Sequence, residues 1–303
     1  MAAIFKHSRE TSSQMLRGFR LMNSKITTEY NTLIAKPYAP NLGAEVYGID
    51  LSKGITDEQY TEIRDAFLKY QVLFFKNQSE IPPEIHVDIG KRFGTLHHHP
   101  AAPTMKGHPE VFEIHATKES KVANGEHWHS DVSCDEEPPL GTMLQIHILP
   151  QCGGDTMFNN MYTAYEALSE PIKDMISGLS ALHSSEHFYK GRYSDRGQDD
   201  DKINYPEAVH PVVRTHPETG KKALFVNRTF TNRINELSKD ESDLLLDLLF
   251  KQGEHINHQI RYRWSKNDMA FWDNRCCMHH AIWDYWPEER KGRRVTIKGD
   301  RPR

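Results

Sequence analysis

Apolar positions along this chain recur at two spacings, one helical and one extended, and the extended kind prevails. Ile63, Ala66, Phe67 and Tyr70 form a stripe at helical spacing behind Thr56 and Gln59, which read as a capping box, so a helix is expected there. Val72-Leu73-Phe74-Phe75 is a short continuous apolar run of the kind a buried strand requires, and a second helix is expected from Pro82-Pro83 to Phe93. Thr142 to Ile148 reads as a strand closed by Pro150 and the Gly153-Gly154 turn. Thr163 and Glu166 suggest a capping box opening a helix through about Ile176, and Ser238 with Glu241 another, leading into the leucines of 244–249. His258, Ile260, Tyr262 and Trp264 alternate with Gln259, Arg261 and Arg263, and Met269–Trp272 and Arg294–Lys298 follow as extended segments. Residues 184–206 are polar and poor in aliphatic side chains, which predicts a long surface loop of the kind that often covers a site. Turn residues Pro37, Pro40 and Gly43 punctuate the start of the folded part. Residues 1–35 therefore read as an N-terminal extension and 36–303 as one domain. Many short strands and few helices give a mainly β fold with flanking helices, for which a double-sheet jelly roll is one solution.

Composition narrows the function. The 303 residues carry 38 basic and 42 acidic side chains, a formal charge of −4, which offers no footprint for a nucleic-acid backbone or an anionic membrane. A small-molecule partner is expected instead. No apolar run is long enough to cross a bilayer, and no signal-peptide core is present. Four cysteines are too few for a disulfide framework, and Cys276 and Cys277 are neighbours, so a reducing, cytoplasmic setting is expected. Residues 1–28 hold Lys6, Arg9, Arg17, Arg20 and Lys25 against the single acid Glu10, which is weakly like an organelle-targeting peptide; a loosely docked terminus is the plainer reading.

The chemistry concentrates in Trp128-His129-Ser130-Asp131-Val132. On a strand, residues two apart share a face, so His129 and Asp131 can reach one ion. A second imidazole would complete the two-His, one-carboxylate triad that leaves three positions open and suits Fe(II) and oxygen chemistry, and His279 is the candidate. If such an iron used 2-oxoglutarate, the distal carboxylate of that keto acid would need a fixed cation. Arginine, with its planar fork, fits that task, and Arg290 and Arg294 both lie within a strand's reach of His279. Spacing alone does not choose between them. His97, His98 and His115 read as loop or surface histidines, His280 as pointing away from the ligand face, and the adjacent cysteines as packing residues.

The segments Gly94-Thr95-Leu96-His97-His98-His99-Pro100, Trp128–Val132, Gly153-Gly154-Asp155-Thr156, Phe230-Thr231-Asn232-Arg233-Ile234, Trp272-Asp273-Asn274-Arg275 and Arg294–Asp300 together resemble the taurine dioxygenase family, in that family's order. The resemblance covers residues 36–302. It implies a double-stranded β-helix, with iron on His129, Asp131 and His279, Thr156 and Arg290 on 2-oxoglutarate, and O2 as second co-substrate. His99, the Val132 amide and Arg294 would then face the anionic head of the primary substrate, and Phe230 would line its pocket. Taurine-using relatives carry Tyr and Asn where this chain has Ala102 and Gly125, which puts taurine itself in doubt. The expected activity is oxidation of a C–H bond in a small sulfonate, sulfate ester or carboxylate, with succinate and CO2 as co-products. Hydroxylation or oxidative cyclisation of an amino-acid-derived metabolite is the nearest alternative, and a homo-oligomer is expected by family analogy. A zinc hydrolase on the same ligands is the alternative from another class, and it leaves Thr156 and Arg290 unexplained. A non-catalytic jelly-roll binding module is a third, with intact ligands against it.

Overall fold

The computed structural model describes residues 27–97, 104–121, 125–191 and 205–303, and it is mainly β with helices on the outside. A nine-stranded sheet runs edge to edge through Thr28–Glu29, Ile34–Pro37, Ala44–Tyr47, Val72–Phe75, Met269–Asp273, Gly141–Ile148, Arg290–Ile297, His108–Ala116 and Thr104–Met105. A three-stranded sheet of Gln259–Tyr262, Thr156–Asn160 and Cys277–Ala281 packs on its inner face, and a second of Glu207–Pro211, Ser180–Ser184 and Thr231–Ile234 extends that side.

The continuous apolar runs follow from burial on both faces of the large sheet. Val72 and Phe74 enter the core between the sheets, whereas Leu73 and Phe75 enter a second core on the outer face. The antiparallel partner repeats this, with Ala270 and Trp272 inward and Met269 and Phe271 outward. Inside, Phe158 of the small sheet meets Phe74 and Trp272, each with ring centres 5.6 Å apart. Outside, the helix Asp57–Tyr70 lays Ile63, Ala66, Phe67 and Tyr70 on the sheet, and Phe67 stacks on Phe271 at 4.0 Å. Its Thr56–Gln59 capping box is present, as is that of Ser238 and Glu241 at the head of Lys239–Gly253, and the second helix spans Pro83–Phe93. Among the described residues no helix is long and apolar enough to cross a membrane.

Three expectations are corrected. The sheet begins at Thr28–Glu29, inside the stretch 1–35 expected to be an extension, because Leu33 and Ala35 are buried and Ile34–Pro37 pairs on both sides. The targeting-like residues 1–26 lie outside the described residues. The helix expected from Thr163 through Ile176 is two helices, Met161–Glu166 and Glu170–Ile176. Asn160, not Thr163, caps the first by accepting from Tyr162 N and Thr163 N at 2.9 and 3.2 Å. Ser169-Glu170-Pro171 then starts the second, since proline at a first helical turn lacks the N–H that would continue the earlier ladder. In the expected loop 184–206, Glu186–Tyr189 forms a short helix and residues 192–204 lie outside the described residues.

Buried imidazoles couple this packing to pH. Burial pushes His86 and His183 down to about 3, so the folded protein excludes a proton that the unfolded chain takes up near 6.5. The unfolded state thus binds more protons below that value, and stability falls as pH falls. Between pH 7 and 5 each should remove roughly 1–2 kcal/mol, a window in which aspartates, titrating near 4 when unfolded, contribute little. The urea midpoint is expected to drop over this range; an unchanged midpoint would contradict the burial of these neutral rings.

Candidate metal centre

His129 and His279 lie 150 residues apart in the chain and meet in an isolated antiparallel bridge. His129 N donates to His279 O at 3.1 Å and His279 N donates to His129 O at 2.8 Å, so both imidazoles leave one opposed pair, with ring centres 4.1 Å apart. The strand expected to carry His129 and Asp131 together is only this single bridge. The chain turns immediately after it, with Asp135 N donating to Val132 O at 2.9 Å and Val132 held at φ 37°, uncommon for a β-branched residue. Asp131 therefore arrives from a turn. Its Oδ1 lies 3.8 Å from each Nε2, and one ligand atom from each of the three residues falls within 4.8 Å of the others.

The protonation states suit a cation. Burial alone would raise the Asp131 carboxyl, but Arg294, His279 and His129 and the Thr142 hydroxyl hold it far below the usual carboxylate range. Burial lowers both imidazoles, His279 strongly. His129 Nδ1 lies 2.7 Å from His127 O, and a carbonyl only accepts, so the proton sits on Nδ1 and the Nε2 lone pair is left for a ligand role. An ionised carboxylate and two neutral imidazoles are the state in which these residues could bind a divalent ion without first losing protons.

A second set of residues shares the face. His279 pairs with Phe158 and Ala281 with Thr156, so Thr156 lies one diagonal step from His279 on the same side of the small sheet. Trp264 Nε1 donates to Thr156 Oγ1 at 3.0 Å, leaving the hydroxyl proton for another acceptor. Arg290 is 4 % exposed, donates from Nε to Gly154 O at 3.0 Å and from Nη2 to Thr156 at 3.5 Å, and lies over the Trp264 ring. No carboxylate among the described residues forms an ion pair with it. A buried guanidinium without a counter-ion calls for an anion. Arg294, four residues on, donates to Asp131 Oδ1 at 2.9 Å, and its buried Nε has no partner.

Phe230 packs with Val132 and Cys134 beside the turn, and the Val132 amide meets no acceptor among the described residues. His99 and Ala102 lie outside the described residues. A Cβ on Gly125 would stand 3.3 Å from His129 Cε1. His280 turns from the ligand face and meets Trp128, and His115 pairs with Glu289 at the surface. His97 lies in a loop and is partly buried, its Nε2 2.7 Å from Asp135, and His98 lies outside the described residues.

A second buried group, His216, Asp273 and Cys276, also has ligand-type atoms close together. There the Asp273 oxygens already take Arg275 at 2.8 and 2.7 Å and His216 at 3.1 Å, so the carboxylate is neutralised and the group is structural. Sequence reasoning missed Thr142, Trp264 and Asn274 as site residues. Asn274 stands in a segment noted only for its resemblance, and spacing carries no sign of its contacts.

Residues 35–296 match the family described as taurine catabolism dioxygenase TauD, TfdA family, and the chain belongs to it. It is 34% identical over 266 residues to an alkylsulfatase of Acinetobacter baylyi, covering 86% of this chain and 83% of that protein. It is 32% identical over 273 residues to an alpha-ketoglutarate-dependent sulfate ester dioxygenase of Pseudomonas putida, covering 88% and 89%. The crystal structure of a taurine dioxygenase from Burkholderia xenovorans superposes with a TM-score of 0.77 at 32% identity, covering 89% of this chain and 91% of that one.

Leaving a cation buried without its counter-ion works against the fold. Arg290→Met, similar in length, is expected to melt at the same temperature as the parent or a few degrees above it when no keto acid is added. Thermal denaturation followed by circular dichroism reads this, and a fall of several degrees would mean that Arg290 is a structural residue.

Proposed function

We propose that this member of the TauD, TfdA family is an Fe(II)- and 2-oxoglutarate-dependent dioxygenase that oxidises a C–H bond of a small anionic substrate and forms succinate and CO2. His129, Asp131 and His279 would hold the iron, and Arg290 with Thr156 the distal carboxylate of 2-oxoglutarate. Arg294, the Val132 amide, His99 and Phe230 would receive the substrate. The facing sheets, with one core shared between them, support a double-stranded β-helix for the single domain. Cys134 and Cys276, buried in the interior without a disulfide, support a reducing compartment such as the cytoplasm.

The observation that carries this reading is Arg290, a buried cation with no carboxylate in ion-pair contact among the described residues, on the strand that also bears Arg294 beside Asp131. A zinc hydrolase gives that guanidinium no role. Charge balance points the same way for the substrate. A ferrous ion cancels a bound 2-oxoglutarate dianion and Asp131 cancels one arginine, so one positive charge remains in a buried site, and a monoanion neutralises it. The sulfur-oxygen anions named for the relatives are of that kind, and a carboxylate fits the same guanidinium.

Bound iron supplies the oxidative decarboxylation of 2-oxoglutarate by O2 and the oxidising power that breaks the C–H bond. The protein's own residues position and exclude. Arg290 and the Thr156 hydroxyl fix the far end of the keto acid, which orients its reacting end toward His279 along the shared face. Arg294 pulls an anionic substrate to the Asp131 side, and Phe230 and Val132 present an apolar wall. Gly125 leaves room beside His129 where taurine-using relatives carry an asparagine, which favours substrates bulkier than taurine.

Succinate release from 2-oxoglutarate, measured with Fe(II) and O2 across a panel of sulfonates, sulfate esters and amino-acid-derived carboxylates, is expected to rise above background with at least one anion and to be abolished in Asp131→Ala. Turnover retained by that variant would remove the ligand assignment. Arg290→Met should raise KM for 2-oxoglutarate roughly 30-fold or more, about 2 kcal/mol, with Mn(II) affinity unchanged. Gly125→Asn is strained at φ +85° and sets a Cβ 3.3 Å from His129 Cε1, so its effect is read as the ratio between two substrates rather than as an absolute loss. It should lower kcat/KM for a long-chain substrate at least about tenfold relative to a compact one, one unfavourable contact's worth; equal losses for both would show that this space is not part of the pocket.

A further inference from the structure

The two oxygens of Asp131 have different surroundings. Oδ1 faces the imidazoles of His129 and His279 at 3.8 Å each and accepts from Arg294 at 2.9 Å. Oδ2 is turned to the other side, where it accepts from the Thr142 hydroxyl at 2.7 Å and from the Asn274 side-chain amide at 3.3 Å. Thr142 and Asn274 are both fully buried, so no water competes for these bonds.

The direction of each bond is fixed by its neighbours. Asn274 Oδ1 accepts from Asp131 N at 3.2 Å and from Trp272 Nε1 at 3.0 Å, and both of those groups only donate, so the amide cannot be reversed and its Nδ2 must point at Asp131 and Thr142. Thr142 Oγ1 can only donate to a carboxylate, which leaves its lone pairs for Asn274 Nδ2 at 3.3 Å. Asn274 is itself held by its main chain. Its N–H donates to Leu140 O at 2.9 Å, and its carbonyl accepts from Ser130 Oγ at 2.7 Å. One asparagine thus holds the residue before the carboxylate, the carboxylate's own amide and its far oxygen.

We propose that Asn274 and Thr142 are positioning residues that retain Oδ2 of Asp131, so that the carboxylate meets the metal through Oδ1 alone; this rests on the assignment of His129, Asp131 and His279 as ligands. The consequence is one of coordination number. Three ligand atoms leave three of six positions open, two for the keto acid and one for O2. A carboxylate released to bind through both oxygens would take one of these.

Thr142→Val removes the donor while keeping the shape, and Thr142→Ser restores it. Metal affinity is read by Mn(II) titration of the full-length protein, and ligand geometry by the electronic absorption of the Co(II) form. Thr142→Val is expected to weaken Mn(II) binding about 10–100-fold and to alter the Co(II) bands, with Thr142→Ser close to the parent in both. Asn274→Ala is the second variant, should valine at 142 fail to fold, and is expected to shift the same two readouts. Parent-like affinity and bands in Thr142→Val or Asn274→Ala, with Asp131→Ala unable to bind, would overturn the positioning role alone. Parent-like affinity in Asp131→Ala would overturn the ligand assignment and this proposal with it.

Discussion

Two backbone hydrogen bonds between His129 and His279 close the molecule at its centre. Each joins a segment from one half of the chain to a segment from the other, and outside this single bridge the two segments are tied by the Ala281 N–H donating to Gly125 O at 2.8 Å. Everything chemical is arranged around it. The bridge sets the ring separation, the turn that follows brings Asp131 back to the same point, and the strand Cys277–Ala281 carries the geometry on to Thr156. A contact of such sequence separation is entropically costly to form. The two sheets that hold it are correspondingly well packed, with the rings of Phe74, Phe158 and Trp272 meeting at steep angles between them.

The charges obey a related constraint. Asp131 and Asp273 are both buried, Asp273 directly preceding the asparagine that binds Asp131, and each is held ionised by its own arginine, Arg294 and Arg275 respectively. Arg275 continues outward to Glu218, which meets Arg64 on the outer helix, so that charge is discharged stepwise toward solvent. Arg290 has no such route among the described residues. Buried ion pairs are usually close to neutral in stability, whereas a solitary buried charge is not, and the role proposed for Arg290 is what gives that charge a partner.

Much of this was legible in the residues because burial leaves a pattern. Val72–Phe75 and Met269–Trp272 are apolar throughout since both faces are covered, and the Thr56 and Ser238 caps use a local code that needs no tertiary knowledge. The Thr163 signal misled because the same residue types serve a cap and the first turn after one; only the position of Asn160 decides. At the site, residue identity was readable but geometry was not. His129 and Asp131 converge through a turn rather than by strand alternation, and spacing left Arg290 and Arg294 equivalent, so that only the family resemblance separated them. Asn274 and Thr142 were invisible for a deeper reason, since a polar contact between distant segments imposes no periodicity on either.

Arg290 and Arg294 share the inward face of one strand, while Arg293 between them points outward to Glu80. The strand is pinned there by Gly292, where a Cβ would stand 2.5 Å from Gln145 O beside the irregular register with Gly141–Ile148. Adding or deleting one residue between the arginines would turn one guanidinium to the far side of the sheet. The interval therefore behaves as a fixed ruler: side chains opposite it can be exchanged without changing the separation of the two guanidinium groups, whereas its length cannot change.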